Sequence, residues 1–373
     1  MAVRRQEVAG RRSRPVVKRP SAARTPAAAS QPATYRRIYE WMVFLRLLDE
    51  RMLTLQRQGR IGFYGTCYGQ EAATLASAAA LEPGDWIFPA LREAAAMLMR
   101  GFPLVPYLCQ VFGNAGDPTK GRQMPSHQAD RSVNQVSWSS VIGSQLPQAV
   151  GAAYAAKLRR EPTVVMAYLG DGATSGADCH AALTAAARWR VPVVFCCQNN
   201  QWSISVPVRR QTAAAELAAK GRAYGIPSER VDGNDLAAVY QACRAAVERA
   251  RAGDGPTFLE LLTYRLGAHS SSDDPTRYRD PAEVERWLRR DPLELGRKLL
   301  SRGGWSERDE ARVRQEAGDR IARAVAEAEG FGPPAPGTLF EDLYADPPSI
   351  VAEQRSMLLD ELAAAPRVHP GQA

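Results

Sequence analysis

Asp171 stands between Gly170 and Gly172, and Asn200, the second of two adjacent asparagines, follows 29 residues after it. A carboxylate, a carboxamide oxygen and a nearby main-chain carbonyl make a set of hard oxygen donors. Such a set suits Mg²⁺, which shares its shell with phosphate oxygens. Glycines on both sides of the acid let main chain approach a ligand closely, and a helix starting there would turn N–H groups toward an anion. Together these features predict a site for a magnesium diphosphate. A lone Gly-Asp-Gly is an ordinary turn. The weight comes from the asparagine at its distance and from the segments between.

Those segments must place both groups at one edge. "TVVMAYLG" (163–170) and "VPVVFCCQ" (191–198) are continuous apolar runs, and "DCHAALTAAARW" between them has helical character. Unbroken apolar strands alternating with helices predict an α/β fold, a parallel sheet with helices on both faces. Strands joined by one helix are usually neighbours, so Asp171 and the Asn199–Asn200 pair should reach the same carboxyl edge, where open α/β sheets bind ligands. "SERV" (228–231) and "TFLELLTYR" (257–265) read as further strands. "GSQLPQAVGAAYAAKLRR", "AELAAKGRAYG" and "DLAAVYQACRAAVERARAG" read as helices. Upstream, "YRRIYEWMVFLRLLDERMLTLQRQGR" has the three- and four-residue apolar spacing of an amphipathic helix. The stretch Gly113–Asn134 is too rich in glycine, proline and polar residues for a regular element, and a connection that long is usually functional. The expected organisation is a disordered basic tail over 1–34, one α/β domain over 35–330, and a C-terminal extension over 331–373 that contacts partner subunits.

The net charge of +8 suggests nucleic acid, but its placement argues against that. Residues 1–37 hold ten basic side chains and one acidic one, so the rest of the chain is near neutral. The tail reads as a solvated extension, with a docking arm or an Arg-rich organellar presequence as alternatives. No apolar run approaches the ~20 residues of a membrane span. The six cysteines include no C-x-x-C pair and read as reduced, mostly buried residues in a cytoplasmic protein. A mitochondrial matrix location is the lesser alternative. No G-x-G-x-x-G follows a strand, which argues against a nucleotide-binding oxidoreductase on a similar sheet.

The Gly-Asp-Gly and Asn-Asn pair at this spacing resemble the thiamine diphosphate signature. The chain around them resembles the alpha subunit of the decarboxylating component of 2-oxo acid dehydrogenases. The resemblance runs through "GRIGFYGTCYGQEAA", "GNAGDPTKGRQMP", "SQLPQAVGAAYAAKL", "VDGNDLAAVY" and "TYRLGAHSSSDDPTRYR", in order, from about Tyr35 to Leu362. Its wording is most similar to the branched-chain (2-oxoisovalerate) type, with pyruvate or acetoin versions as alternatives. The resemblance implies the thiamine diphosphate-binding fold, thiamine diphosphate and Mg²⁺ as cofactors, and oxidative decarboxylation of a 2-oxo acid. It also implies a beta subunit, an α₂β₂ assembly, and a lipoyl-bearing acyltransferase core that receives the acyl group.

By the same resemblance, Asp171, Asn200 and the Trp202 carbonyl would ligate Mg²⁺. Gly170, Gly172, Ala173, Gln198 and Arg92 would contact the cofactor, with Arg92 on a phosphate. Ser140 and Ile142 would touch it as well, Ile142 from beneath. Ser139, Val141 (carbonyl), Ser144 and Gln145 correspond to a K⁺ site in branched-chain relatives, although capping of the next helix by Ser140 or Ser144 explains the same serines. His269 would contact the diphosphate and assist acyl transfer to lipoamide, which suits an imidazole that titrates near working pH. Arg265, Asp273, Tyr278 and Arg279 resemble the set that orders its loop, and Ser270 matches a position that a kinase modifies in eukaryotic relatives. His127 lies near the expected mouth of the site. Leu91, Val141 and Gly176 depart from the family's usual tyrosine, proline and Glu/Gln. They motivate one further alternative, a weakly active paralogue that keeps only the partner surface.

Overall fold

The computed structural model describes residues 31–364. The disorder expected of the tail falls on residues 1–30, outside the described residues, whereas residues 31–34 are already helical. The elements in chain order begin with helices α1 (Gln31–Arg57) and α2 (Glu71–Ala79), strand β1 (Trp86–Phe88), and helices α3 (Ala94–Met99) and α4 (Leu104–Phe112). Next come α5 (Gln145–Arg159), β2 (Val165–Gly170), α6 (Ala177–Trp189) and β3 (Val193–Asn199). A small hairpin follows, β4 (Trp202–Ser203) with β5 (Val206–Pro207), then α7 (Val208–Gln211), α8 (Ala218–Ala223), β6 (Ser228–Asp232), α9 (Leu236–Arg251) and β7 (Thr257–Leu262). The chain closes with α10 (Pro281–Leu288), α11 (Pro292–Ser301), α12 (Glu307–Glu329) and α13 (Ser349–Ala364).

The main sheet has the order β1-β2-β3-β7-β6 and is parallel throughout. Burial on both faces follows from the two-residue alternation of side chains along each strand. Met166 and Tyr168 of β2 and Val194 and Cys196 of β3 enter one core with α1, α2 and α9. Val165, Ala167 and Leu169 of β2, with Val193, Phe195 and Cys197 of β3, enter the other with α5 and α6. All six cysteines are free and buried, as expected. A further core joins α1 and α4 to α12. Helix α12 therefore belongs to the body of the domain, while α13 has no buried residue. Among the described residues no helix is long and apolar enough to cross a membrane.

Sequence periodicity missed β1 and the β4–β5 hairpin, each three residues or fewer. The long segment from Gly113 to Asn134 is irregular, as expected, apart from one 3-10 turn at Arg131–Val133.

Candidate active site

Parallel strands carry their carboxyl ends to one edge, and four of them deliver the site. Leu91 and Arg92 follow β1, Asp171 follows β2, Asn200 follows β3, and His269 lies seven residues past the end of β7. They meet in a cavity of about 330 Å³. Arg92, Ser139, Ser140, Ile142, Gln145, Gly170, Asp171, Gly172, Ala173, Gln198, Asn200, Trp202 and His269 all line it. Val141 and Ser144 do not. The side chain of Val141 points outward, and the residue is 67% exposed.

Asp171 is 2% exposed. Burial pushes its carboxyl up to about 6, although Gln211 Nε2 donates to Oδ2 at 2.8 Å. A buried carboxylate held this way gains from a cation placed beside it. Asn200 donates through Nδ2 to Gln70 Oε1 (2.9 Å) and accepts at Oδ1 from Trp202 N (3.1 Å), which leaves Oδ1 a second lone pair. This donor set fits a hard dication.

The opposite charge is equally exposed to need. Arg92 is buried, yet its guanidinium meets only the carbonyls of Thr66 and His269 (3.0 Å to the latter) and the His269 ring. Its Nη2 lies 3.4 Å from His269 Nδ1. Because a guanidinium can only donate, Nδ1 accepts and the imidazole proton belongs on Nε2. Burial, followed by the like charges of Arg92 and Arg265, holds His269 down to about 4. Burial and Arg92 likewise push Arg265 down to about 10. Gln70 Nε2 on the cavity wall lacks an acceptor, as do Nε and Nη1 of Arg265, which stands behind the wall. A cluster of cations and orphan donors of this kind calls for an anion with several oxygens, and a diphosphate fits.

The two glycines beside Asp171 serve different ends. A Cβ on Gly170 would meet nothing within 4 Å, so main chain there is open to a ligand. A Cβ on Gly172 would lie 2.3 Å from Ser203 Oγ, so this glycine is required by the β4 hairpin packed over it. The helix expected directly after Asp171 is also delayed. A 3-10 turn, Gly172–Ser175, intervenes before α6, and Gly172 and Ala173 of that turn line the cavity.

The turn before α5 is closed upon itself. The Val141 carbonyl accepts from both Ser144 N (3.2 Å) and Ser144 Oγ (2.8 Å), and Ser139 Oγ accepts from Val141 N (3.1 Å). Gln145 Nε2 donates to Tyr168 O. Ser144 makes no side-chain cap to α5, so capping does not explain that serine.

The loop set meets as the resemblance implies. Arg265 Nη2 donates to Tyr278 OH (2.8 Å), Tyr278 OH donates to Asp273, and Asp273 Oδ2 accepts from His269 N (2.7 Å). Arg279 donates to the carbonyls of Arg265, Leu266 and Gly267. His127 is 4% exposed, stacks on Trp138 at 3.7 Å, and presents Nε2 to Ser140 Oγ at 3.2 Å. Leu91 lines the cavity, whereas Gly176 does not. Sequence reasoning missed Phe63, Gln70, Glu93, Met124, Ile204 and Gln211. Phe63, Gln70 and Met124 lie within segments that carry the resemblance and Glu93 adjoins Arg92, but the contacts of all six with the site depend on packing between distant segments.

A parallel α/β body with a cation- and anion-ready cavity at its strand ends defines an enzyme component built around a phosphorylated cofactor. The chain belongs to the dehydrogenase E1 component family, whose model matches residues 39–336. It is 44% identical over 336 residues to the 2-oxoisovalerate dehydrogenase subunit alpha 2, mitochondrial, of Arabidopsis thaliana, covering 90% of this chain and 71% of that protein. It is 42% identical over 328 residues to the mitochondrial alpha subunits of Mus musculus and Caenorhabditis elegans, covering 87% of this chain and 74% and 76% of theirs. The α/β fold, the family resemblance, and the expectation of a 2-oxo acid dehydrogenase component closest to the 2-oxoisovalerate type are therefore borne out. Membership implies thiamine diphosphate as cofactor. The expected cytoplasmic location is overturned, because these relatives are mitochondrial by name.

Proposed function

We propose that this chain is the alpha subunit of a branched-chain 2-oxo acid dehydrogenase. With a beta subunit it carries out oxidative decarboxylation of a 2-oxo acid and passes the acyl group to a lipoyl-bearing acyltransferase core. What supports this most is the convergence of Arg92, Asp171, Asn200 and His269 from four strand ends on one cavity. Thiamine diphosphate, when bound, supplies the electron sink that decarboxylation needs. Asp171, Asn200 Oδ1 and the Trp202 carbonyl would hold its Mg²⁺, and Arg92 would hold phosphate oxygens by charge-assisted hydrogen bonds. Ser140, Ile142 and Gln198 form the remaining wall. His269, neutral and carrying its proton on Nε2, can donate that proton toward a developing oxyanion or thiolate. K⁺ at Ser139, Val141, Ser144 and Gln145 would have to displace the bond from Ser144 Oγ to the Val141 carbonyl.

The beta subunit has two supports. Met124, Ile142 and Ile204 line the cavity and are each more than half exposed, so its mouth is an apolar surface suited to a second chain. Glu93, the lining carboxylate besides Asp171 among the described residues, is occupied by the N–H groups of Ala90 and Leu91. The resemblance implies that the glutamate required for thiamine activation comes from the beta subunit, in an α₂β₂ assembly. The test is co-expression with a beta subunit and turnover of 3-methyl-2-oxobutanoate, 2-oxobutanoate and pyruvate, with and without thiamine diphosphate and Mg²⁺. Cofactor-dependent turnover preferring the branched acid is the expected result. A well-assembled complex without turnover at saturating cofactor would sink the proposal and favour the weakly active paralogue that Leu91 suggests.

A further inference from the structure

One buried carboxylate has no part in the site as described. Asp49 of α1 is 2% exposed, and both its oxygens face the segment that runs beside the cavity. Oδ1 accepts from Tyr64 OH (2.9 Å) and Oδ2 from Cys67 N (2.6 Å). The four residues so gripped hold two functional groups from behind. Tyr64 N donates to Ser271 Oγ (3.1 Å) and Ser271 N donates to Tyr64 O (3.0 Å), which fixes the loop carrying His269. The carbonyl of Thr66, next to Cys67, accepts from Arg92 Nη1. Leu48, Met52 and Tyr107 are buried beside this segment. The charges that act on Asp49 are those of Glu71 and Arg46, which pair with each other, so among the described residues Asp49 has no ion pair of its own. An unpaired carboxylate in such surroundings is costly unless its hydrogen bonds do something that packing cannot.

We propose that Asp49 is a positioning residue that acts through Tyr64 and Cys67 to set His269 and Arg92 at their mutual distance. It rests on the assignment of those two residues to the cofactor. Asp49 never touches the cavity. It is a strut whose load is the 64–67 segment, and loss of the strut should free the His269 loop while the sheet stays folded.

The test uses the full chain assembled with its beta subunit, comparing Asp49→Ala, Asp49→Asn and Tyr64→Phe with the unchanged protein. Trypsin cleavage after Arg277, exposed in the His269 loop, is measured against cleavage after Arg160, exposed in the turn that ends α5. Cleavage reports the open population, so losing one hydrogen bond should speed Arg277 cleavage about tenfold in Tyr64→Phe, losing both should speed it at least as much in Asp49→Ala, and Arg160 should stay unchanged in each. Asp49→Asn keeps an acceptor for Cys67 N and a partner for Tyr64 OH, and should restore near-normal protection. The proposal is overturned if Arg277 cleavage does not change in the folded variants, or if both sites accelerate together. Thiamine diphosphate with Mg²⁺ should slow Arg277 cleavage in the unchanged protein. Failure of that arm alone would count against the cofactor assignment, and the ratio of the two cleavages would still judge the strut.

Discussion

Replacing Arg92 by methionine should weaken thiamine diphosphate binding and release the His269 titration at the same time. A charge-assisted hydrogen bond is worth about 1.5–3 kcal/mol, roughly ten- to a hundredfold in affinity. The guanidinium already serves two carbonyl groups without ligand, so part of its hydrogen bonding is not newly made on binding. The expected loss therefore lies near the tenfold end. His269 sits at about 4 because of burial first, then Arg92 and Arg265. Removing Arg92 should raise it toward 6.5 without reaching it, since burial and Arg265 remain. The linkage has a definite sign. With the folded value below the unfolded one, the unfolded chain binds more protons between about pH 4 and 6.5, so this group adds stability as pH rises through that window. Arg92→Met should flatten that slope. Calorimetric cofactor binding and ring-labelled histidine resonances, only four in the chain, read both effects. Arg92→Lys keeps the charge but loses the planar fork and should fall between. Cofactor affinity within twofold of normal, with His269 titrating where it did before, would refute the assignment of Arg92 to the phosphates.

Asp171→Asn should abolish the thermal stabilisation conferred by Mg²⁺ and thiamine diphosphate. Without them it should melt no lower than the unchanged protein at pH 8, because the raised carboxyl value costs up to about 3 kcal/mol above pH 6, a cost that fades as pH falls toward 4. Melting curves with and without cofactor at both pH values decide it. Gly172→Ala should destabilise by about 1–3 kcal/mol through collision with Ser203, and pairing it with Ser203→Gly should recover most of the loss in denaturant unfolding.

The fold was legible where burial leaves a continuous signal. Strands β2 and β3 are buried almost throughout and apolar up to their carboxyl ends because helices cover both faces, and the acid and the asparagines stand at those ends as the spacing predicts. Strand β1 escaped because three residues of edge strand carry no period, and the start of α1 was placed four residues late because nothing in "QPAT" marks it. Within the site, residues whose type suggests a ligand contact were found, and those whose role depends on a distant partner were not. Gln211 reaches Asp171 across 40 positions, and Gln70 reaches Asn200 across 130. Gln70 matters as an acceptor only because Asn200 Nδ2 donates to its Oε1, a fact of the tertiary structure. That Gly172 must also make room for Ser203 escaped for the same reason: its neighbour is the hairpin, which periodicity did not reveal.

A site assembled from four strand ends has a consequence for how the chain is made. Arg92 and His269 are 177 residues apart, and at ~5–20 residues per second roughly 10–40 s of synthesis separate them. During that interval the arginine end of the cavity exists without the loop that closes it, and β3 has no β7 to pair with. Such non-local pairing is slow to form and leaves an apolar edge open meanwhile. The newborn subunit is therefore most dependent on chaperone protection between the emergence of β3 and that of β7, well before any partner subunit could shield it.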